Sequence, residues 1–276
     1  MQACTRCAVA LSLLLFAVPL GAQQPSTRLM DDINWMEFRE LVPAKVKTVI
    51  VTVGTLEPHG VINNGADNTA PVAIAIEIAG DANALIAPHV SYGVTGAMSP
   101  YPGAVHIPED AFRGYVRAVL EGMVKNGFRN IIILNGHGGP QTAILQQLAS
   151  DIALQHKVNT LVIQWWALVS DVTLEVFKED GGHAGINETA FIQAINPKLV
   201  HRERYTGKEM STANPAPGAW SATPTPSSIM VYKEGQGWPK DFDQAKAEEY
   251  YRKSVAKVRA LVLDTLRKWE MAGFEQ

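Results

Sequence analysis

The chain has 276 residues, of which 47% are hydrophobic and 18% charged, a composition typical of a globular protein rather than a disordered or fibrous one. Its 24 Lys and Arg residues against 27 Asp and Glu residues give a net charge of -3 and supply no basic stripe, which argues against nucleic acid as a partner. The length suits one large domain.

The first 22 residues predict a secretory signal peptide. Residues 1–22 combine one positive charge, a short apolar run and a small residue before the expected cleavage after Ala22. The run is shorter than the roughly 20 apolar residues that span a bilayer, which favours cleavage over an uncleaved anchor and predicts no membrane association of the mature chain. Cys4 and Cys7, the two cysteines, lie within this leader. We therefore expect an exported, periplasmic or secreted protein whose single domain, 23–276, has no disulfide and no cysteine nucleophile.

Short β-branched runs alternate with helical patterns along the remaining chain. The predicted strands lie at 48–53, 84–87, 130–134 and 160–163. The predicted helices lie at 70–79, between Pro108 and Gly127, at 141–156, at 190–195 and at 243–268. This alternation favours βαβ crossovers and an α/β fold with a mainly parallel sheet. The proline-rich stretch at 213–228 is either a surface lid or a plain linker.

A polar loop after the first strand carries three candidate metal ligands. Glu57, His59 and Asp67 follow the buried run at 48–53, and ligands of open parallel sheets bind beyond the carboxyl ends of the strands. Carboxylate oxygen and imidazole nitrogen together suit Zn²⁺ or Mn²⁺. On its own, this segment favours solvated surface carboxylates over a metal site.

A second glycine-rich turn, Asn135-Gly-His137-Gly-Gly139, also follows a predicted strand. Its glycines allow a close approach of the backbone to a ligand, and His137 would face the same edge of the sheet as the first segment. The alternative is a turn that cradles phosphate at the start of the next helix, although the established phosphate-loop patterns are absent.

A third segment places Asp180, His183 and Glu188 at the start of a predicted helix. Glu188 would lie in the first turn, either as a capping carboxylate or as a metal ligand, and His183 is a candidate proton-transfer group. The three segments together supply enough ligands for two divalent ions that share one carboxylate. The candidate ligands are Glu57, His59, Asp67, His137 and Glu188.

The order of these motifs resembles the creatininase (creatinine amidohydrolase) family. The resemblance spans roughly residues 35–235. It is carried by Glu57-x-His59-Gly60 with Asp67, Tyr92-Gly93, Asn135-Gly-His137-Gly-Gly139 and His183-Ala-Gly-x-x-Glu188-Thr189. It implies a three-layer α/β/α sandwich, two divalent ions (Zn²⁺ or Mn²⁺, with Fe²⁺ as a third option) and hydrolysis of an amide C–N bond. It also implies a homo-oligomer, with a hexamer as one form.

The family pattern, carried over by position, assigns a role to each candidate. Glu57, Asp67 and His137 would hold one metal. His59 and the bridging Asp67 would hold the other. His183 would be the general acid/base or a substrate contact, with Asp180 beside it.

Two departures from creatininase itself affect the expected chemistry. Gly138 and Gly139 stand where that enzyme has a tyrosine and a metal-binding glutamate, so the second metal needs another ligand, for which Glu188 is the candidate. Water or His183 would serve instead if Glu188 is only structural. Glu179 stands where a tryptophan closes over creatinine, which argues against creatinine as the substrate. We therefore expect an amidohydrolase for another cyclic or linear amide, in which a metal-activated water attacks the carbonyl and His183 passes a proton to the leaving nitrogen.

Two other functions fit the same residues. The first is an exported metal- or ligand-binding protein that kept the scaffold without turnover. The second is a metallohydrolase of lactones or phosphoesters. A serine nucleophile is disfavoured because the sequence has no GxSxG elbow.

Overall fold

The computed structural model describes residues 25–179, 181–205, 223–224 and 242–274. The predicted leader at 1–22, Asp180 and all but two residues of the proline-rich stretch at 213–228 lie outside these ranges. No helix within them is both long enough and apolar enough to cross a membrane.

The core of the structure is a parallel sheet of four strands. The strands are β1 (Thr48–Val53), β2 (Ala84–Ile86), β3 (Asn130–Asn135) and β4 (Asn159–Gln164), in the order β2-β1-β3-β4. β1 and β3 are buried along their whole length, which explains their continuous apolar sequences. They pair from Thr48 opposite Asn130 to Val53 opposite Asn135, so both strands end at the same level of the sheet.

Helices cover both faces of the sheet and confirm the three-layer α/β/α fold. They are α1 (Trp35–Leu41), α2 (Ala66–Ile78), α3 (Glu109–Lys125), α4 (Gly139–His156), α5 (Trp165–Leu168), α6 (Ser170–Phe177), α7 (Ile186–Ile195) and α8 (Gln244–Met271). Val49 and Val51 of β1 belong to one hydrophobic core with α3 and α4. Ile50, between them, belongs to a second core with α2, α7 and α8, as the alternation of side chains along a strand requires.

One helix boundary differs from the sequence prediction in a way that matters for the site. α2 begins at Ala66 rather than at residue 70, so Asp67 lies in its first turn and not in a loop. The helical pattern of apolar residues starts only at Ala70, because the first turn carries polar side chains. A carboxylate in a first turn is stabilised by the positive end of the helix. This position also holds the Asp67 side chain more rigidly than a loop would.

Candidate metal centre

Five ionisable side chains meet at the carboxyl end of the sheet. Glu57 and His59 follow β1, and His137 follows β3. Asp67 lies in the first turn of α2, and Glu188 in the first turn of α7. All five are buried. Because β1 and β3 end at the same level, the segments that follow them converge on one point, as the sequence predicts. The burial excludes the interpretation of Glu57 and Asp67 as solvated surface carboxylates.

Glu57, Asp67 and His137 form the first of two candidate ligand groups. His137 Nδ1 lies 3.0 Å from Asp67 Oδ2 and 3.1 Å from Glu57 Oε1. The Nε2 atom of the same ring donates a hydrogen bond of 2.9 Å to the Val94 carbonyl, which directs Nδ1 towards the carboxylates. Metal-binding histidines are commonly oriented in this way by a backbone carbonyl. One atom from each residue can therefore reach a single ion.

His59, Asp67 and Glu188 form the second group. His59 Nε2 lies 3.1 Å from Asp67 Oδ1 and 3.7 Å from Glu188 Oε2. Its Nδ1 donates to the backbone carbonyl of Glu57 at 3.0 Å. Glu188 Oε2 also accepts the Ala184 N–H at 2.5 Å, so this carboxylate both fixes the start of α7 and faces the site. Asp67 thus directs one oxygen into each group.

His183 lies at the edge of the two groups. Its Nδ1 is 3.4 Å from Glu57 Oε1, and its Nε2 donates to the Pro58 carbonyl at 2.7 Å. The side chain is 22% exposed, more than those of the five candidate ligands. It also forms a third possible ligand group with Glu57 and His59, in keeping with the alternative in which His183 replaces Glu188 as a ligand.

Two glycines make room for the backbone of Asp67. A Cβ atom on Gly136 would lie 1.9 Å from the Asp67 carbonyl oxygen, and one on Gly54 would lie 2.4 Å from the same atom. Contacts this short are not tolerated, so both positions require glycine. These glycines bring the start of α2 against the ends of β1 and β3.

The electrostatics of the site reflect many buried carboxylates in a small volume. Burial alone would lower the pKa of His59, but Asp67 and Glu188 outweigh it and raise that pKa to about 10. Burial likewise lowers the pKa of His137, which hydrogen bonds to Asp67 and Glu57 raise well above its usual value. Burial raises the pKa of Glu188 to about 7. Without a metal, protons on the two histidines supply the positive charge that the carboxylates require.

The His183 imidazole behaves in the opposite way. Burial, followed by the charge of the neighbouring His59, lowers its pKa to about 3. The two rings are 4.4 Å apart between centroids. His183 is therefore neutral at physiological pH in the protein without metal.

The donor set fits divalent metal ions. Glu57 Oε2 is buried and has no hydrogen-bond partner among the described residues, so one carboxylate oxygen remains available for a ligand. The two candidate groups each combine carboxylate oxygen with an imidazole nitrogen that is oriented by a backbone carbonyl. Such sets suit Zn²⁺ and Mn²⁺, whose charge would replace that of the histidine protons.

A cavity of about 440 Å³ opens above the two groups. Glu57, Asp67 and Glu188 line its floor, and Met98, Pro140 and Trp166 are among the residues of its walls. Its size is that of a small-molecule site. Asp180 lies outside the described residues.

The segment at 95–98 is a wall of this cavity that the motifs did not reveal. The Val94 carbonyl orients His137, and the Val94 N–H donates to Gln141 Oε1 at 3.0 Å. In the sequence, Gly93 precedes this segment. The position requires glycine, because a Cβ there would lie 2.6 Å from the Gly54 carbonyl oxygen.

Known proteins match this chain over most of its length. The family model described as "Creatininase: Creatinine amidohydrolase" matches residues 31–262. Creatinine amidohydrolase of Pseudomonas putida is 25% identical over 227 residues, which cover 74% of this chain and 86% of that protein. A 3-dehydro-scyllo-inosose hydrolase of Thermotoga maritima is 29% identical over 196 residues, which cover 66% of this chain and 60% of that protein.

Solved creatininases share the fold. A crystal structure of creatinine amidohydrolase (creatininase) aligns with a TM-score of 0.71 at 22% identity, covering 86% of this chain and 97% of that one. A zinc–zinc form of a mutant creatininase gives 0.70 at 22% identity, with 87% and 98% covered. A manganese form gives 0.70 at 21% identity, with the same coverage. The family model spans well over half of the chain, and the chain therefore belongs to the creatininase family.

Proposed function

We propose that this protein is a metal-dependent amidohydrolase that cleaves a C–N bond of a small cyclic or linear amide. The observation that carries the proposal is the position of Asp67, which directs one carboxylate oxygen towards His59 and the other towards His137. A carboxylate shared in this way can bridge two ions. Both curated relatives are named hydrolases, and one of them an amidohydrolase, which supports hydrolysis as the reaction.

The residues that would hold the ions follow from the two groups. Glu57, Asp67 and His137 would hold one ion, and His59, Asp67 and Glu188 the other. Two divalent ions would polarise an amide carbonyl and lower the pKa of water. Zn²⁺ and Mn²⁺ are the candidates, since solved creatininases with this fold include zinc and manganese forms.

The side chain that would move a proton is His183. It borders the cavity, and its Nε2 is held by the Pro58 carbonyl, which leaves Nδ1 to accept a proton and pass it to the leaving nitrogen. Glu57 Oε1 lies 3.4 Å from Nδ1, so its negative charge would stabilise the ring once Nδ1 has accepted the proton. A proton on the departing amine makes it a better leaving group.

The cavity suggests a compact, largely neutral substrate. Its floor is acidic, and the wall that includes Met98, Pro140 and Trp166 is mostly apolar. The two curated relatives are named for different compounds, so membership of the family does not fix the substrate. Export of the protein and its assembly into a homo-oligomer stay predictions of the sequence.

An amide panel tests the proposal. Protein loaded with Zn²⁺ or Mn²⁺ is assayed for release of amine or acid from creatinine, hydantoin, formamide and N-formyl amino acids. His137→Ala, which removes a ligand, serves as the control. We expect turnover of at least one amide by the loaded wild type and none by the variant. Full metal loading without turnover of any amide would favour the binding-protein alternative, and equal activity of the His137→Ala variant would exclude a metal-dependent reaction.

A further inference from the structure

Thr95, a residue of the cavity wall, has a buried hydroxyl group without a hydrogen-bond partner among the described residues. The residue is only 4% exposed, and its Oγ1 has no hydrogen-bond partner in the part of the chain that the structure describes. Buried hydroxyls are normally paired, because an unpaired one loses its bonds to water without replacement. An unpaired hydroxyl on a residue that lines a ligand cavity is therefore a candidate for ligand binding.

The backbone that carries Thr95 is fixed to the metal centre. The preceding residue, Val94, accepts a hydrogen bond from His137 and donates one to Gln141. Threonine is β-branched, which restricts the orientations of its side chain. The Thr95 hydroxyl is thus held at a constant position relative to His137.

Two features favour an oxygen atom as the partner of this hydroxyl. The carboxylates of Glu57, Asp67 and Glu188 supply the cavity with hydrogen-bond acceptors. Thr95 carries the only hydroxyl among the described lining residues, and it can supply a donor, which an oxygen atom would accept. The start of α4, a helix of 18 residues, borders the same cavity at 138–140. The positive end of a helix favours an electron-rich atom nearby.

We propose that Thr95 is a substrate-binding residue whose hydroxyl donates a hydrogen bond to an oxygen atom of the substrate outside the scissile amide. This inference rests on the proposed function, and it narrows the substrate class to amides that carry a second oxygen acceptor.

The test uses two hydroxamates that differ by one atom. Methoxyacetohydroxamate and butyrohydroxamate both present a zinc-binding group, and the first has an ether oxygen where the second has a methylene. Their binding to zinc-loaded protein is measured by calorimetry for wild type, Thr95→Val and Thr95→Ser. Ser254→Ala is the matched control, because its buried hydroxyl also has no partner among the described residues but lies on α8, outside the cavity lining.

We expect wild type, Thr95→Ser and Ser254→Ala to bind the ether about tenfold more tightly than the methylene compound, the effect of one added hydrogen bond. Thr95→Val should lose this preference while keeping its metal content. Its melting temperature should be unchanged or higher, because the lost hydroxyl has no partner in the free protein.

Three results would overturn the inference. An ether preference that persists in Thr95→Val, or is absent from the wild type, would remove Thr95 from substrate binding while leaving the proposed function intact. A clearly lower melting temperature of Thr95→Val would mean that the hydroxyl has a structural role. Failure of zinc-loaded wild type to bind either hydroxamate would overturn the proposed function, and this inference with it.

Discussion

Asp67 Oδ2 and His137 Nδ1 are 3.0 Å apart, although 70 residues separate them in the sequence. The contact exists because β1 and β3 are neighbours in register and because Gly136 lets the Asp67 backbone lie against the turn after β3. The backbone contact thus determines the side-chain geometry of the metal centre.

Replacement of Gly136 should therefore damage the site. A methyl group in Gly136→Ala would lie 1.9 Å from the Asp67 carbonyl oxygen, so α2 must shift. We expect a loss of about 1–3 kcal/mol in the free energy of unfolding, together with a lower metal content. Denaturant titration and elemental analysis measure the two effects.

Gly138→Ala is the control for this substitution in the same turn. A Cβ on Gly138 would be 3.8 Å from the Trp166 ring, an ordinary contact, so metal content should be retained. If both variants keep their metal and their stability, the packing of Asp67 on Gly136 does not position the centre.

Loss of the His183 imidazole should separate metal binding from proton transfer. In the proposed mechanism, His183→Ala keeps both ions, because each candidate group is complete without it, and lowers kcat about 10²- to 10⁴-fold. The measurements are metal content and steady-state kinetics. Loss of an ion from this variant would instead assign His183 as a ligand, as its group with Glu57 and His59 allows.

Glu188 should be needed for one ion only. Glu188 belongs to the group with His59 and Asp67 and is absent from the group that contains His137. We expect purified Glu188→Ala to retain about half of the metal of the wild type, because the first group remains whole. An unchanged metal content would limit Glu188 to its hydrogen bond with the Ala184 N–H.

His89 should make the stability of the protein depend on pH. Its Nδ1 lies 2.8 Å from Thr52 Oγ1 and its Nε2 donates to Asn68 Oδ1 at 2.9 Å, a pairing that the neutral ring satisfies when the Thr52 hydroxyl donates. Burial lowers the pKa of His89 to about 4 from the 6.5 of the unfolded chain. Between pH 4 and pH 6.5 the unfolded state binds more protons than the folded state. The contribution of His89 to the free energy of unfolding is therefore complete above pH 6.5 and is lost as the pH falls towards 4.

A comparison of the wild type with His89→Gln isolates the pH dependence due to His89, because glutamine does not titrate. The difference in unfolding free energy between wild type and His89→Gln should shrink as the pH falls from 6.5 to 4. His201→Gln, at an exposed site, controls for loss of a histidine. A difference that stays constant over this range would show that His89 is not held neutral.

The sequence predicted the parts of this molecule that depend on local pattern. Continuous apolar runs identified β1 and β3, and the rule that ligands bind at the carboxyl ends of parallel strands placed Glu57, His59 and His137 together. The start of α2 was predicted four residues late, because its first turn is polar and serves the site.

Other parts of the site depend on contacts between distant segments. Thr95, the Val94 carbonyl and Gln141 acquire their roles only when the 94–98 segment packs beside His137. Nothing in the local pattern around Thr95 indicates that its hydroxyl is buried without a partner. Such features follow from tertiary packing, which no spacing rule for a single segment describes.

The proposed metal centre depends on Asp67, which would be a ligand of both ions. Elemental analysis of zinc or manganese per chain, on purified wild type and on Asp67→Ala that is folded by circular dichroism, tests it most directly. We expect close to two ions per chain in the wild type and loss of both in the variant, because Asp67 belongs to both groups. A metal content near zero in the wild type after zinc or manganese is supplied would contradict this expectation. So would an Asp67→Ala variant that keeps both ions.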